Sequence, residues 1–189
     1  MNSQILAERG SGSWPDVVSG VSCMVPDPTR EAVAPWAWNP GRRLIRSIRL
    51  YAKGVKVGGA FGAALKRFAI IEHTFWSSVT SSDVPLVLEI GVGLLLPHPV
   101  GIVIHPNVKI GPNCLIFQQV TLGTRGAQEG VPVIGGHVDI GAGAKILGGV
   151  TIGNHARIGA NAVVLTDVPA GAAAVGVPAR IRPRKAGDQ

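Results

Sequence analysis

Large aliphatic residues recur every six positions through the second half of the chain. They stand at Ile104, Ile110, Ile116 and Leu122, and again at Ile134, Ile140, Ile146, Ile152, Ile158 and Val164. Glycine often follows the aliphatic, as at Gly111, Gly135, Gly141, Gly153 and Gly159. Four places after it sits a small or β-branched residue, among them Val108, Cys114, Val120, Val138, Ala144, Ala156 and Ala162. A period of six matches neither the 3.6 of a helix nor the 2 of a simple strand. It matches a solenoid of short flat strands joined by tight turns, three to a triangular coil. The aliphatic points into the prism, and the residue four places on is small because it shares that cramped interior. Each buried aliphatic contributes about 1.5–3 kcal/mol. Cys114 falls in an interior register, which predicts inert packing.

The repeat breaks over residues 123–132, which read as a protruding loop. Earlier coils are expected near Ile90, Leu96 and Ile102, with two extra residues before Ile104 shifting the frame. The 26 glycines suit such a turn-rich architecture, and a hydrophobic share of 46% argues against disorder. The net charge of +7 admits nucleic acid, an anionic membrane or a phosphorylated small molecule as partners. Nucleic acid is disfavoured, since no DNA-reading motif or alternation of aromatic and basic residues occurs. Two cysteines, Cys23 and Cys114, make neither a disulfide framework nor a zinc site. Residues 1–10 lack a signal-peptide pattern, and 84–104 is too interrupted for a membrane span, so a cytoplasmic location is expected.

Residues 1–40, rich in Gly, Ser and Pro, are expected to be poorly ordered. Residues 41–80 form a helical segment: Leu44, Ile45, Ile48, Ala52 and Val55 recur at helical spacing over 42–57, and Phe61, Leu65, Phe68 and Ile71 do so over 60–75. The basic face of the first helix (Arg42, Arg43, Arg46, Arg49, Lys53, Lys56) offers weak peripheral contact with an anionic membrane. The β-helix domain spans 83–181, and a basic tail occupies 182–189.

The runs Leu96-Pro97-His98-Pro99-Val100-Gly101, Gln119-Val120-Thr121-Leu122-Gly123, Ile140 to Gly148, and Gly176-Val177-Pro178-Ala179-Arg180 resemble the serine acetyltransferase family of hexapeptide-repeat acyltransferases. The likeness covers about 83–181. It implies a mainly β, left-handed parallel β-helix that assembles as a homotrimer, with active sites between neighbouring prisms. It also implies acetyl-CoA as co-substrate, without a metal. The family's catalytic histidine falls on His98 and its orienting aspartate on Asp83. Positions touching the coenzyme fall on Thr124, Ala142 and Arg157.

The chemistry suits those residue types. Histidine can take the proton of an attacking hydroxyl, and a carboxylate on the other ring nitrogen steadies the imidazolium. Two departures bear on the acceptor. The family's acidic residue before the histidine is Pro97 here, and its loop arginine–histidine pair falls on Gly130 and Val131. Arg125 and Glu129 are the charged residues left in the loop. A sugar hydroxyl in polysaccharide synthesis is therefore slightly favoured over L-serine as acceptor. Two other readings stand beside this one. The chain could be a non-catalytic scaffold subunit. It could instead be a carbonic-anhydrase-like zinc enzyme drawing three ligands from His98, His105, His137 and His155, although the last three are expected to face solvent.

Overall fold

The computed structural model describes residues 21–34, 36–126 and 130–183. Its body is a left-handed parallel β-helix with three faces, closed at its N-terminal end by two helices. One face stacks β1 (Glu89–Ile90), β3 (Lys109–Ile110), β6 (Val133–Ile134) and β9 (Thr151–Ile152). A second stacks β2 (Val103–Ile104), β5 (Thr121–Gly123), β8 (Lys145–Leu147) and β11 (Val163–Val164). The third stacks β4 (Leu115–Ile116), β7 (Asp139–Ile140), β10 (Arg157–Ile158) and β12 (Ala173–Val175), ending in the antiparallel β13 (Arg180–Arg182). That final reversal covers an edge that would otherwise present unpaired backbone groups.

The six-residue registers meet in space. Ile104, Ile110, Ile116, Leu122, Ile134, Ile140, Ile146, Ile152, Ile158 and Val164 are each at most 4% exposed and form one continuous core. Val108, Cys114, Val120, Val138, Ala144, Ala156 and Ala162 fill the space between them. Cys114 is fully buried; its thiol donates to the Gly135 carbonyl at 3.1 Å, and burial pushes its pKa up to about 11. A thiol held protonated in this way is inert.

Regular coils advance 18 residues, as in Val103 beside Thr121 and Asp139 beside Arg157. The first coil is longer: Asp83 bridges Val103, Ile90 pairs with Ile110 and Leu95 bridges Leu115, each 20 apart. The two surplus residues therefore lie between Leu95 and Val103. They widen the corner that carries His98.

The corners repeat their hydrogen bonding as regularly as the strands. Gly101, Gln119, Gly143 and Asn161 all adopt positive φ, stacked along one corner. Gln119 N–H donates to the Val100 carbonyl, Gly143 N–H to Gln118, and Asn161 N–H to Ala142, each at 2.8 Å. A second corner stacks Gly93, Asn113, His137, His155 and Gly171 in the same conformation. Asparagine and histidine tolerate this left-handed region better than most residues with a side chain.

The helix α1 (Pro40–Val57) begins with Asn39 capping the Arg42 amide and proline in the first turn. Leu44, Ile45 and Ile48 join the β-helix core and close its upper end. A Cβ at Gly41 would stand 2.1 Å from the Leu96 carbonyl oxygen, so only glycine lets the helix start lie this close. Helix α2 (Gly59–Thr80) packs along α1 and runs five residues past the apolar pattern read over 60–75. Its last turn is anchored by Trp76, which joins the core, and hydroxyls of Thr74, Ser78 and Thr80 bond to carbonyls four residues back.

Of the stretch expected to be poorly ordered, residues 1–20 lie outside the described residues. Residues 22–31 are seated on the second corner. Asn113 accepts from the Asp27 amide at 2.9 Å and donates to the Ser22 and Val25 carbonyls at 2.7 and 2.8 Å. Glu31 takes a two-point bond from Arg49 (3.0 and 2.8 Å) and accepts from the amides of Gly93 and Leu94. Arg49 also donates to the Ile90 and Gly91 carbonyls, which locks the N-terminal segment, α1 and the first coil together. The basic tail from residue 184 onward lies outside the described residues. Among the described residues, no helix is long and apolar enough to cross a membrane.

Candidate active site

His98 sits on the widened corner of the first coil, and its side chain is exposed. The corner is tied down from behind. The Ser82 hydroxyl donates to the Pro99 carbonyl and accepts from the Ile102 amide at 3.1 Å. Gly101 N–H donates to the Thr80 carbonyl at 3.1 Å, and Val100 N–H to the His98 carbonyl at 2.8 Å. The end of α2 and the segment carrying Asp83 are thus laced to the backbone that presents the imidazole. Such fixed backbone is what a proton-transfer group needs to hold its position.

Below His98 the same corner continues through Phe117, Gln118, Ala142 and Ala160, and these five residues line a cavity of about 220 Å³. The His98 and Phe117 rings lie 6.4 Å apart, tilted by 31°. The small Ala142 and Ala160 side chains open the groove towards the later coils. Lys145, on β8, donates to the Gln119 carbonyl at 2.6 Å and brings a cation to the edge of this corner.

The residues singled out in the sequence are distributed unevenly. His98 and Ala142 share the cavity. Asp83 pairs its backbone with Ile102 and Ile104 at 2.8 and 2.9 Å, and its side chain is exposed. Among the described residues, no side chain hydrogen-bonds either His98 or the Asp83 carboxylate. Thr124 is exposed just after β5, and Arg157 is exposed on β10; neither lines the cavity. Of the loop, Arg125 and Gly130 are exposed, Val131 packs on the core, and Glu129 lies outside the described residues.

Phe117, Gln118 and Ala160 went unnoticed in the sequence. They lie one or two residues before positive-φ corner residues, one or more coils below His98, a placement that the stacked coils reveal. Gln118 is notable because its Oε1 is buried with no hydrogen-bond partner in the lone chain. An acceptor in that state is costly unless a ligand donor meets it.

His137 and His155 occupy the second corner, away from His98. They do not face solvent as the turn positions suggested. Both are half-buried, their Nδ1 atoms 2.7 Å apart and their rings edge to face. One ring must donate and the other accept. Coils stacked in register bring equivalent turn residues together, which is why they meet. Among the described residues, no group of three or more His, Cys, Asp or Glu side chains is placed to hold a metal ion.

Burial lowers the pKa of His137, helped by repulsion from His155, Arg30 and Arg157. Burial likewise lowers that of His73, whose Nε2 must carry a proton to bond the Val84 carbonyl at 2.9 Å. The unfolded chain therefore binds more protons than the folded one, so the contribution of these histidines is full above about pH 6.5 and lost as pH falls. Asp139 opposes this at lower pH, since burial raises its pKa and its ionisation costs stability as pH rises above the ordinary carboxylate value. Thermal unfolding should occur at a lower temperature at pH 5.5 than at pH 8. The H137N/H155N variant, whose asparagines keep the left-handed corners, should show a flatter profile. Equal slopes for variant and parent would remove the pair from this account.

Comparison with known proteins bears on the family of the chain. Residues 132–166 match the family model described as bacterial transferase hexapeptide (six repeats). A serine acetyltransferase of Synechocystis is 42% identical over 137 residues, covering 71% of this chain and 51% of that protein. A chloroplastic serine acetyltransferase of Arabidopsis thaliana is 49% identical over 128 residues, covering 59% and 41%. The chain is a hexapeptide-repeat homologue of serine acetyltransferases. The likeness extends to solved structures. The serine acetyltransferase of Brucella abortus in complex with coenzyme A matches at a TM-score of 0.66 and 35% identity, over 78% of this chain and 57% of that one. The chain thus spans about half the length of the curated relatives it matches.

Proposed function

We propose that this chain is an acetyl-CoA-dependent O-acetyltransferase with His98 as general base. The observation that carries the reading is the exposed His98 above a cavity floored by Ala142 and Ala160, on a homologue of serine acetyltransferases. The acceptor hydroxyl gives its proton to the imidazole as its oxygen attacks the thioester carbonyl. The tetrahedral intermediate collapses, the C–S bond breaks, and the imidazolium returns the proton to the departing thiolate. An acetyl ester and free CoA result, with no covalent enzyme intermediate. Acetyl-CoA would lie along the corner past Ala142, with Thr124 and Arg157 at its edges. The site would be completed by a neighbouring prism in a homotrimer, and the enzyme would work in the cytoplasm.

Asp83 is the proposed partner that steadies the imidazolium. Replacing it with alanine should lower turnover by less than loss of His98 does. Wild-type kinetics for D83A would remove it from that role.

A sugar hydroxyl is the favoured acceptor. An amino acid carries an ammonium and a carboxylate that normally need charged partners. Pro97, Gly130 and Val131 provide none where the serine enzymes are expected to keep theirs. L-serine is the second reading, favoured by the names of the relatives. Measuring thiol release from acetyl-CoA with L-serine, nucleotide sugars and oligosaccharides separates the two. Release with serine alone would overturn the sugar assignment, and the lack of release with every acceptor would leave the scaffold reading.

A further inference from the structure

The charge of this protein is concentrated in its helical hairpin. Residues 40–80 hold eight lysines and arginines against one acidic residue, Glu72. The rest of the chain balances, with ten of each sign, so the hairpin accounts for the whole net charge of +7. Glu72 is already engaged by Arg46 at 3.7 Å. Lys53, Lys56 and Arg67 are exposed.

Helix α2 buries Gly62, Ala69, Trp76 and Thr80 against the rest of the molecule. A different face carries Phe61, Phe68, Ile71, Phe75 and Val79, spaced by seven, three, four and four residues. They are 67%, 53%, 69%, 53% and 40% exposed. This spacing lines them up along the helix, and Arg67 flanks Ile71 one turn away. An apolar stripe of this length is more than the scattered exposed hydrophobics of an ordinary surface.

From this pairing we infer that the α2 stripe docks on a lipid bilayer rich in anionic headgroups. The apolar side chains enter the interface while the surrounding cations meet the headgroups. A second copy of the hairpin is a poor occupant, because it would set exposed cations of like charge, Arg67 among them, against one another. The apolar part of the contact belongs to α2, and the basic residues of α1, on which the sequence had suggested it, supply charge to it. The inference is independent of the catalytic reading.

Co-sedimentation of the full chain with vesicles tests it. Wild type should pellet with equimolar phosphatidylglycerol and phosphatidylcholine, far less with phosphatidylcholine alone, and less as salt is raised. Phe68 and Ile71 are exposed, so F68S/I71S should fold normally and bind about tenfold or more weakly. K53E/K56E/R67E should lose binding to a similar degree, about tenfold or more. Absence of binding, equal binding to both vesicle types, or unchanged binding by F68S/I71S would overturn the inference. So would a fall in oligomer mass for F68S/I71S at undiminished vesicle binding, which would assign the stripe to another copy.

Discussion

Replacing His98 with asparagine should lower turnover by about 10²–10⁴-fold while leaving the fold intact. The His98 side chain is exposed and, among the described residues, hydrogen-bonds to none, so truncation removes no bond from the core. The Ser82 bridge and the Thr80 bond hold the corner through backbone groups that the substitution does not touch. What is lost is the proton acceptor. An alcohol attacking without one must develop positive charge on its oxygen, which raises the barrier. Far-UV circular dichroism and the unfolding midpoint should match wild type. Steady-state thiol release should show the loss in kcat, with a smaller change in KM, because the group acts in the transition state. Undiminished turnover would dismiss His98 as the base.

The largest expected effect on stability comes from the middle of the prism. Ile146 on β8 is fully buried and stacks in register between Leu122 above and Val164 below. Ile146→Ala removes three carbons where β5 and β11 are held by backbone pairing and cannot collapse inward. The cost should be about 2–5 kcal/mol, set by transfer free energy together with the cavity left behind. Because each coil stabilises its neighbours, the defect interrupts coupling along the column as well as at one site. Urea unfolding should show a lower midpoint. A shift of less than about 0.5 kcal/mol, the scale of surface substitutions, would mean that the column relaxes more freely than its register suggests.

The prism was legible because its period is enforced by geometry. Ile104 through Val164 must recur every six residues for the aliphatics to meet, and no other common architecture uses that spacing. Even the two surplus residues before Ile104 were visible, since a widened corner displaces every later aliphatic. The second helix runs past its apolar pattern because Trp76 alone anchors the last turn in the core, and one aromatic followed by Ser77 and Ser78 shows no helical period. The His137–His155 contact was missed for a related reason. Turn positions look solvent-facing one coil at a time, yet stacking brings residues 18 apart into contact. At the candidate site, His98 stood out by chemistry and Ala142 through resemblance. Gln118 and Phe117 carry no motif of their own and become meaningful only once the coils place them beneath the imidazole.

The central claim is that the His98 corner is where a thioester meets an alcohol. A crystal structure of the protein with coenzyme A tests it most directly. The pantetheine arm should lie along Ala142 and Ala160, with the sulfur within about 4 Å of the His98 ring, near the separation of a reactive pair. Coenzyme bound on another corner, with the 220 Å³ cavity empty beside His98, would contradict it.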